Sequence, residues 1–117
     1  MPHCVVEYDA ALQHDVNISQ LIKDIHLAVI ESGLFEPSAV KTRGYSAEHA
    51  FVGEVVDDGF IHIQLTIMPG RTTEQKQSLM QLIYYAIEPS VSHVNSVTMS
   101  VSDIDKPHYF KVVNQAG

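Results

Sequence analysis

Pro2 stands directly behind Met1. Methionine is commonly removed before a small residue, and proline qualifies. Removal would leave a secondary amine as the chain terminus. A free α-amino group titrates at about 7.7–8.0, far below the lysine side chain at about 10.4. A modest electrostatic push brings such an amine near neutrality, where a general base works best. The other residues with chemical promise are cations, and they are scarce: 7 Lys+Arg stand against 14 Asp+Glu, for a net charge of −7. Any anion site must therefore come from local clustering. Arg71 follows Pro69-Gly70 and directly precedes an expected helix. A positive helix N-terminus and a guanidinium fork suit a carboxylate. Lys41 and Arg43, two apart in an expected strand, point to one face. Cations near Pro2 would lower its pKa by disfavouring the charged amine. The same cations would stabilise a dienolate as it forms. Together these residues describe proton transfer α to a carbonyl. Taken singly, each also reads as an ordinary surface cation.

The elements that must position them follow from periodicity. Residues 2–8 alternate, with Cys4, Val6 and Tyr8 on one face, so the terminus is expected at the start of a strand with no leader before it. Residues 9–16 read as polar and turn-like. Asn17 caps an expected helix over 18–32, and Gln20 completes a capping-box pattern. Its stripe is Ile18, Leu21, Ile22, Ile25, Ala28 and Val29, and Gly33 suits a left-handed cap. Pro37 marks a loop, and residues 39–45 read as a second strand. Asp57-Asp58-Gly59 is a turn signal near the middle of the chain. Residues 60–68 alternate clearly. Thr72 or Thr73 caps a second helix striped by Leu79, Leu82, Ile83, Ala86 and Ile87, and Pro89 marks its end or a break. Residues 96–102 alternate again, and the tail is polar with one apolar knot at Tyr109-Phe110 and Val112-Val113.

The order strand–helix–strand occurs twice. The expected fold class is α/β (α+β): two βαβ units forming a four-stranded mixed sheet with two helices on one face. One domain spans residues 1–117, with halves of about 1–58 and 59–117. The second sheet face, with Phe60, His62, Gln64 and Met68, is too mixed for a core and too apolar for plain solvent, which suggests subunit packing. A half-wet sheet face is the plainer reading.

Several functions are disfavoured. The acidic balance argues against nucleic acid, which needs a basic footprint. No apolar run is long enough to span a bilayer, and the start lacks a basic-then-apolar leader, so no membrane and a cytoplasmic setting are expected. The lone Cys4 reads as a small core residue. The 7 histidines are scattered, no zinc spacing occurs, and His62 reads as structural.

Pro2 behind Met1, the two βαβ halves and Pro69-Gly70-Arg71-Thr72-Thr73-Glu74-Gln75-Lys76 resemble the tautomerase superfamily. Met1-Pro2-His3, Glu7, Gly33-Leu34-Phe35, Lys41-Thr42-Arg43 and Phe110-Lys111 narrow the resemblance, end to end, to the 5-carboxymethyl-2-hydroxymuconate isomerase family. The resemblance implies a homotrimer with sheets facing inward and active sites near subunit boundaries. It implies no cofactor; no metal is expected, since no Cys/His cluster has zinc-site spacing. It implies Pro2 and Arg71 as catalytic residues, with Lys41 and Arg43 binding an anionic polycarboxylate that passes from enol to unsaturated ketone. The family pattern on the second strand is Arg-x-Arg, whereas this chain has Lys41-x-Arg43. Two other readings stay open: a non-catalytic trimeric binding protein of the same fold, and a superfamily enzyme of another reaction such as a decarboxylase or dehalogenase.

Overall fold

Alternation builds the first strand, β1 (His3–Asp9): Cys4, Val6 and Tyr8 are buried while Glu7 is exposed. The same rule gives β3 (Phe60–Ile67), in which Ile61, Ile63, Leu65 and Ile67 are fully buried. The computed structural model describes residues 1–54 and 59–114. Two helices, α1 (Ile18–Glu31) and α2 (Thr73–Val91), and two further strands, β2 (Lys41–Ala47) and β4 (Ser96–Asp103), complete the regular elements. The sheet order is β2-β1-β3-β4. β2 runs parallel to β1, β4 parallel to β3, and β1 and β3 meet antiparallel at the centre. Each pair of parallel strands is thus one βαβ unit, and the two units join along their first strands.

Both helices cover the same sheet face. Leu21, Ile25, Ala28 and Val29 of α1 and Leu79, Ile83, Ile87 and Val91 of α2 share one cluster with the inward residues of β1 and β3. Gly44 lets α1 approach β2. A Cβ there would lie 2.9 Å from Ile22 Cδ1. Among the described residues no helix covers the opposite face, and Phe60, His62, Gln64, Thr66 and Met68 lie half-buried there.

Local chemistry sets the boundaries and departs from expectation in places. Asn17 Oδ1 accepts the Gln20 amide at 3.1 Å, but the Gln20 side chain donates to Asp24 at 2.8 Å instead of turning back to the cap. Only half of the expected capping box forms on α1. Ser32 ends α1, and Gly33 follows at φ 72° in the left-handed region that glycine tolerates. Thr72, rather than Thr73, caps α2 with a complete box. α2 continues two residues past Pro89, to Val91, and Ala86 of its expected stripe is exposed. The second strand begins later than residue 39, because Pro37 nucleates a tight turn over Pro37–Ala39. Residues 9–16 hold a short 3-10 helix, Ala10–His14, capped by Asp9, and Leu12 and Val16 from this stretch join the core. Of the turn expected at 57–59, Asp57 and Asp58 lie outside the described residues.

Ile63 sits at the centre of the sheet and is fully buried. Ile63→Ala should cost about 2–5 kcal/mol, through lost burial and a residual cavity. Chemical denaturation of parent and variant measures this; coincident unfolding curves would contradict the assigned core.

Candidate active site at the chain start

The start of the chain is held by the sheet. Pro2 is buried, and its carbonyl accepts the Lys41 amide N–H at 3.1 Å, next to the His3–Lys41 register pair. Met1 lies half-buried outside it. The α-amine at Met1 has a pKa pushed below its ordinary 8.0, by burial first and then by Lys111, Arg71 and Lys41. The surroundings of the terminus therefore disfavour positive charge. While Met1 is attached, the Pro2 nitrogen is a tertiary amide whose lone pair is delocalised and cannot take a proton.

Lys41 is exposed on the open face of β2, with Nζ 3.5 Å from the Ala39 carbonyl and 3.8 Å from Met1 Sδ. Arg71 is half-buried between the two helices' ends. Its Nη2 donates to the Leu34 carbonyl, and its guanidinium lies 5.0 Å from the centre of the Phe35 ring. Leu34 and Phe35 reach that place because Gly33 turns the chain at the end of α1. The carbonyl bond uses one corner of the fork and orients the rest.

The helix end beside Arg71 is less open to an anion than its sequence suggests. Thr72 Oγ1 takes the Gln75 amide at 3.1 Å, and Gln75 Oε1 takes the Thr72 amide at 2.8 Å. Glu74 adds a negative charge to the first turn. The capping box thus occupies amides that sequence reasoning assigned to a ligand, and the guanidinium becomes the main donor.

Arg43 lies further along the open face and is engaged elsewhere. Its Nη1 donates to His3 Nδ1 at 3.3 Å, and His3 Nε2 lies 3.0 Å from the Tyr109 hydroxyl. Arginine can only donate, so Nδ1 accepts and the imidazole proton sits on Nε2, facing Tyr109. The His3 pKa is lowered from 6.5 by burial, then by Arg43, Lys41 and the terminal amine. A hollow of about 450 Å³ on the open face is lined by His3, Val5, Arg43, Thr66 and Tyr109 among others.

Among the sequence candidates, then, Lys41 and Arg71 gather with Pro2 at the chain start, and Arg43 is tied to His3. Lys111, His3 and Tyr109 were not singled out as site residues. His3 and Lys111 carry a signal only within the family resemblance, in Met1-Pro2-His3 and Phe110-Lys111, and Tyr109 only in the apolar knot, because contacts between the two ends of a chain leave no local periodicity. Cys4 is buried, and burial pushes its thiol up to about 12, so it is no nucleophile at neutral pH. His62 is bonded to Thr98 on the adjacent strand at 2.7 Å. Among the described residues, no group of three or more His, Cys, Asp or Glu could hold a metal ion. No helix among them is long and apolar enough to cross a membrane.

Comparison with known proteins places this geometry. The family model for 5-carboxymethyl-2-hydroxymuconate isomerase matches residues 2–114. A solved 5-carboxymethyl-2-hydroxymuconate delta-isomerase superposes with a TM-score of 0.81 at 18% identity, covering 100% of this chain and 95% of that one. A 5-carboxymethyl-2-hydroxymuconate isomerase from Deinococcus radiodurans R1 gives 0.78 at 18% identity, covering 97% and 90%. A fused wild-type 4-OT symmetric trimer gives 0.70 at 13% identity, covering 92% and 91%. No curated protein matches in sequence. At these identities the solved structures show the fold alone, which is tautomerase-like.

Arg71 is one of three cations acting on the terminal amine. Arg71→Ala should raise the amine's pKa, and Arg71→Lys should keep most of the depression, since charge survives. Burial is the larger cause and remains, so the value should stay below the ordinary one. An NMR titration of the labelled terminus measures this. An unchanged pKa in Arg71→Ala would remove Arg71 from the site.

Proposed function

This chain belongs to the 5-carboxymethyl-2-hydroxymuconate isomerase family, and on that premise we propose that it is a cofactor-independent isomerase whose base is the amine of Pro2, freed by loss of Met1. The substrate class is a 2-hydroxydienoate bearing more than one carboxylate, 5-carboxymethyl-2-hydroxymuconate or a relative. The neutral proline nitrogen takes the proton of the enol hydroxyl. Negative charge then spreads over the dienolate, from the oxygen to the far carbon. Arg71 and Lys41 stabilise that charge and hold a carboxylate, with Arg43 extending the positive face. The protonated proline returns its proton to carbon, which leaves the unsaturated ketone and a neutral base. A cytoplasmic role in breaking down aromatic compounds follows from the same reading.

The observation that supports the reading is a buried Pro2, tied into the sheet, beside a terminal amine whose pKa is lowered by burial and by nearby cations. A base with a pKa near the working pH is the most effective one. The experiment compares processed protein with protein whose Met1 is retained and blocked, using mass spectrometry of the terminus and an enol-ketonisation assay. Only the processed form should turn over. Equal rates in the two would sink the Pro2 mechanism.

The protein also acts as a homotrimer in this proposal, within a single tautomerase-like domain over residues 1–117. The support is the open sheet face with its half-buried Phe60, His62, Gln64 and Met68, together with Phe110, 87% exposed, on the C-terminal segment. Isolated apolar side chains are ordinary on surfaces, but a continuous mixed sheet face is a candidate for burial between subunits. The match to a symmetric trimer of the same fold is consistent with this state. Light scattering at micromolar concentration should return the mass of three chains; a clean monomer would refute it.

A further inference from the structure

His3 and Arg43 stand on adjacent strands, β1 and β2, on the open sheet face. His3 lies level with Lys41 and Val5 with Arg43, so the two side chains meet on a diagonal. Arg43 Nη1 lies 3.3 Å from His3 Nδ1, and His3 Nε2 lies 3.0 Å from the Tyr109 hydroxyl. The His3 and Tyr109 rings stand edge to face at 75°, with centroids 6.1 Å apart. The segment bearing Tyr109 is itself anchored, because Ile104 is buried and its amide donates to the Ile67 carbonyl at 2.6 Å. The imidazole is thus clasped at both nitrogens. A guanidinium has no acceptor, so only the neutral Nε2–H form of His3 satisfies both partners. An imidazolium would turn a second N–H toward Arg43 and break the contact.

The surroundings keep His3 in the neutral form. Arg43 and Lys41 on β2 and the terminal amine are positive, and together with burial they lower its pKa. Thr66, its partner on β3, is neutral, and Glu7 stands beyond Val5 on the same face of β1. Two carboxylates line the same hollow, and each is engaged elsewhere. Asp103 pairs with Lys76 at 2.9 Å, and Asp105 meets the His108 ring at 2.6 Å. An exposed arginine ordinarily samples many rotamers, and ordering them costs entropy on binding. Here one corner of the fork is held, and the other donors stay beside the hollow of about 450 Å³ that His3 and Arg43 both line.

We infer that His3 is the positioning residue for Arg43: its neutral imidazole, braced by Tyr109, holds the guanidinium at the hollow so that the remaining N–H donors receive a carboxylate of the substrate. The ligand in this inference rests on the proposed enol-carboxylate chemistry, and the positioning rests on the clasp alone. His3 touches no reacting atom; it acts through Arg43.

Two measurements on processed protein test it. Nitrogen NMR of the His3 imidazole at neutral pH should show Nδ1 bare and Nε2 protonated. A proton on Nδ1 would overturn the inference whatever the activity. Kinetics with a 2-hydroxydienedioate read the effect on binding. Arg43→Ala should raise KM about tenfold, in line with losing a charged hydrogen bond. His3→Leu should raise KM about fivefold with little change in kcat, because it frees the arginine's rotamers without removing its charge. His3→Asn keeps an acceptor for Arg43 and should recover most of that loss. Tyr109→Phe should raise KM by less than His3→Leu. The double variant of His3→Leu and Arg43→Ala should be no worse than Arg43→Ala alone, because His3 acts through Arg43. Unchanged KM in His3→Leu, no recovery in His3→Asn, or additive losses in the double variant would overturn the inference while leaving the isomerase reading intact. If the processed parent does not turn over the enol, the proposed function fails. Calorimetry with hexanedioate, an unreactive dicarboxylate, then decides the inference alone. Affinity should fall in the same order across the variants, and no binding to the parent, or equal affinity in all, would overturn it.

Discussion

A chain terminus can do directed chemistry only if something holds it, and here the bond from the Lys41 amide to the Pro2 carbonyl does so. An unrestrained first residue would sample many orientations, and its amine would titrate as in a free peptide. β1 lies between β2 and β3, so the strand that begins at His3 is bonded along both edges. The Pro2–Lys41 bond carries that order one residue further out, to Pro2. The parallel pairing of β1 with β2 has a second effect. It brings Lys41 level with His3 at the same end of the sheet, which an antiparallel hairpin of this register would not do with a fourteen-residue helix between them.

The electrostatic problem is set by composition. An acidic chain repels anions at long range, and that repulsion is screened over about 8–10 Å in physiological salt. Local arrangement must do the rest. The cations at the chain start come from distant parts of the sequence: Lys41 from β2, Arg71 from the approach to α2, Lys111 from the C-terminal segment. No two are neighbours in sequence, so no basic run announces the site. Arg71 is further restrained by the Phe35 ring and the Leu34 carbonyl. That restraint trades one donor for a fixed direction, which suits recognition of a planar group.

How much of this could be read from the sequence depends on whether the cause was local. The alternation of β1 and β3, a threonine cap at Thr72 or Thr73 and the Gly33 turn are decided by neighbouring residues and are legible; the choice of Thr72 comes from the structure. The common face of Lys41 and Arg43 is legible too, because a strand's period of two survives a shift of two residues in its start. β2 starts later than the expected residue 39 because Pro37 opens a 3-10 turn that takes up the first residue of the strand pattern. The Gln20 side chain was misassigned because Asp24, one helical turn on, is a closer partner than the cap. α2 runs past Pro89 to Val91, and the local pattern alone does not separate a helix end from a proline carried in the last turn. The clasp between His3 and Tyr109 joins residues 106 apart, and nothing local encodes it.

The departure of Lys41-x-Arg43 from the family's Arg-x-Arg has a physical reading in these contacts. The two side chains share one strand face, yet they are used differently. Arg43 reaches back to His3 Nδ1, and that single donation fixes the imidazole tautomer, which directs Nε2–H toward Tyr109. The task needs an obligate donor of defined geometry, which lysine supplies poorly because its ammonium rotates and its stem is flexible. Lys41 acts on the terminal amine and on His3 through charge, at positions where it makes only long contacts of its own. Charge survives the exchange of arginine for lysine and a planar fork does not. The substitution therefore falls at the position whose contribution is carried by charge, and the guanidinium is kept where the direction of an N–H bond decides the outcome.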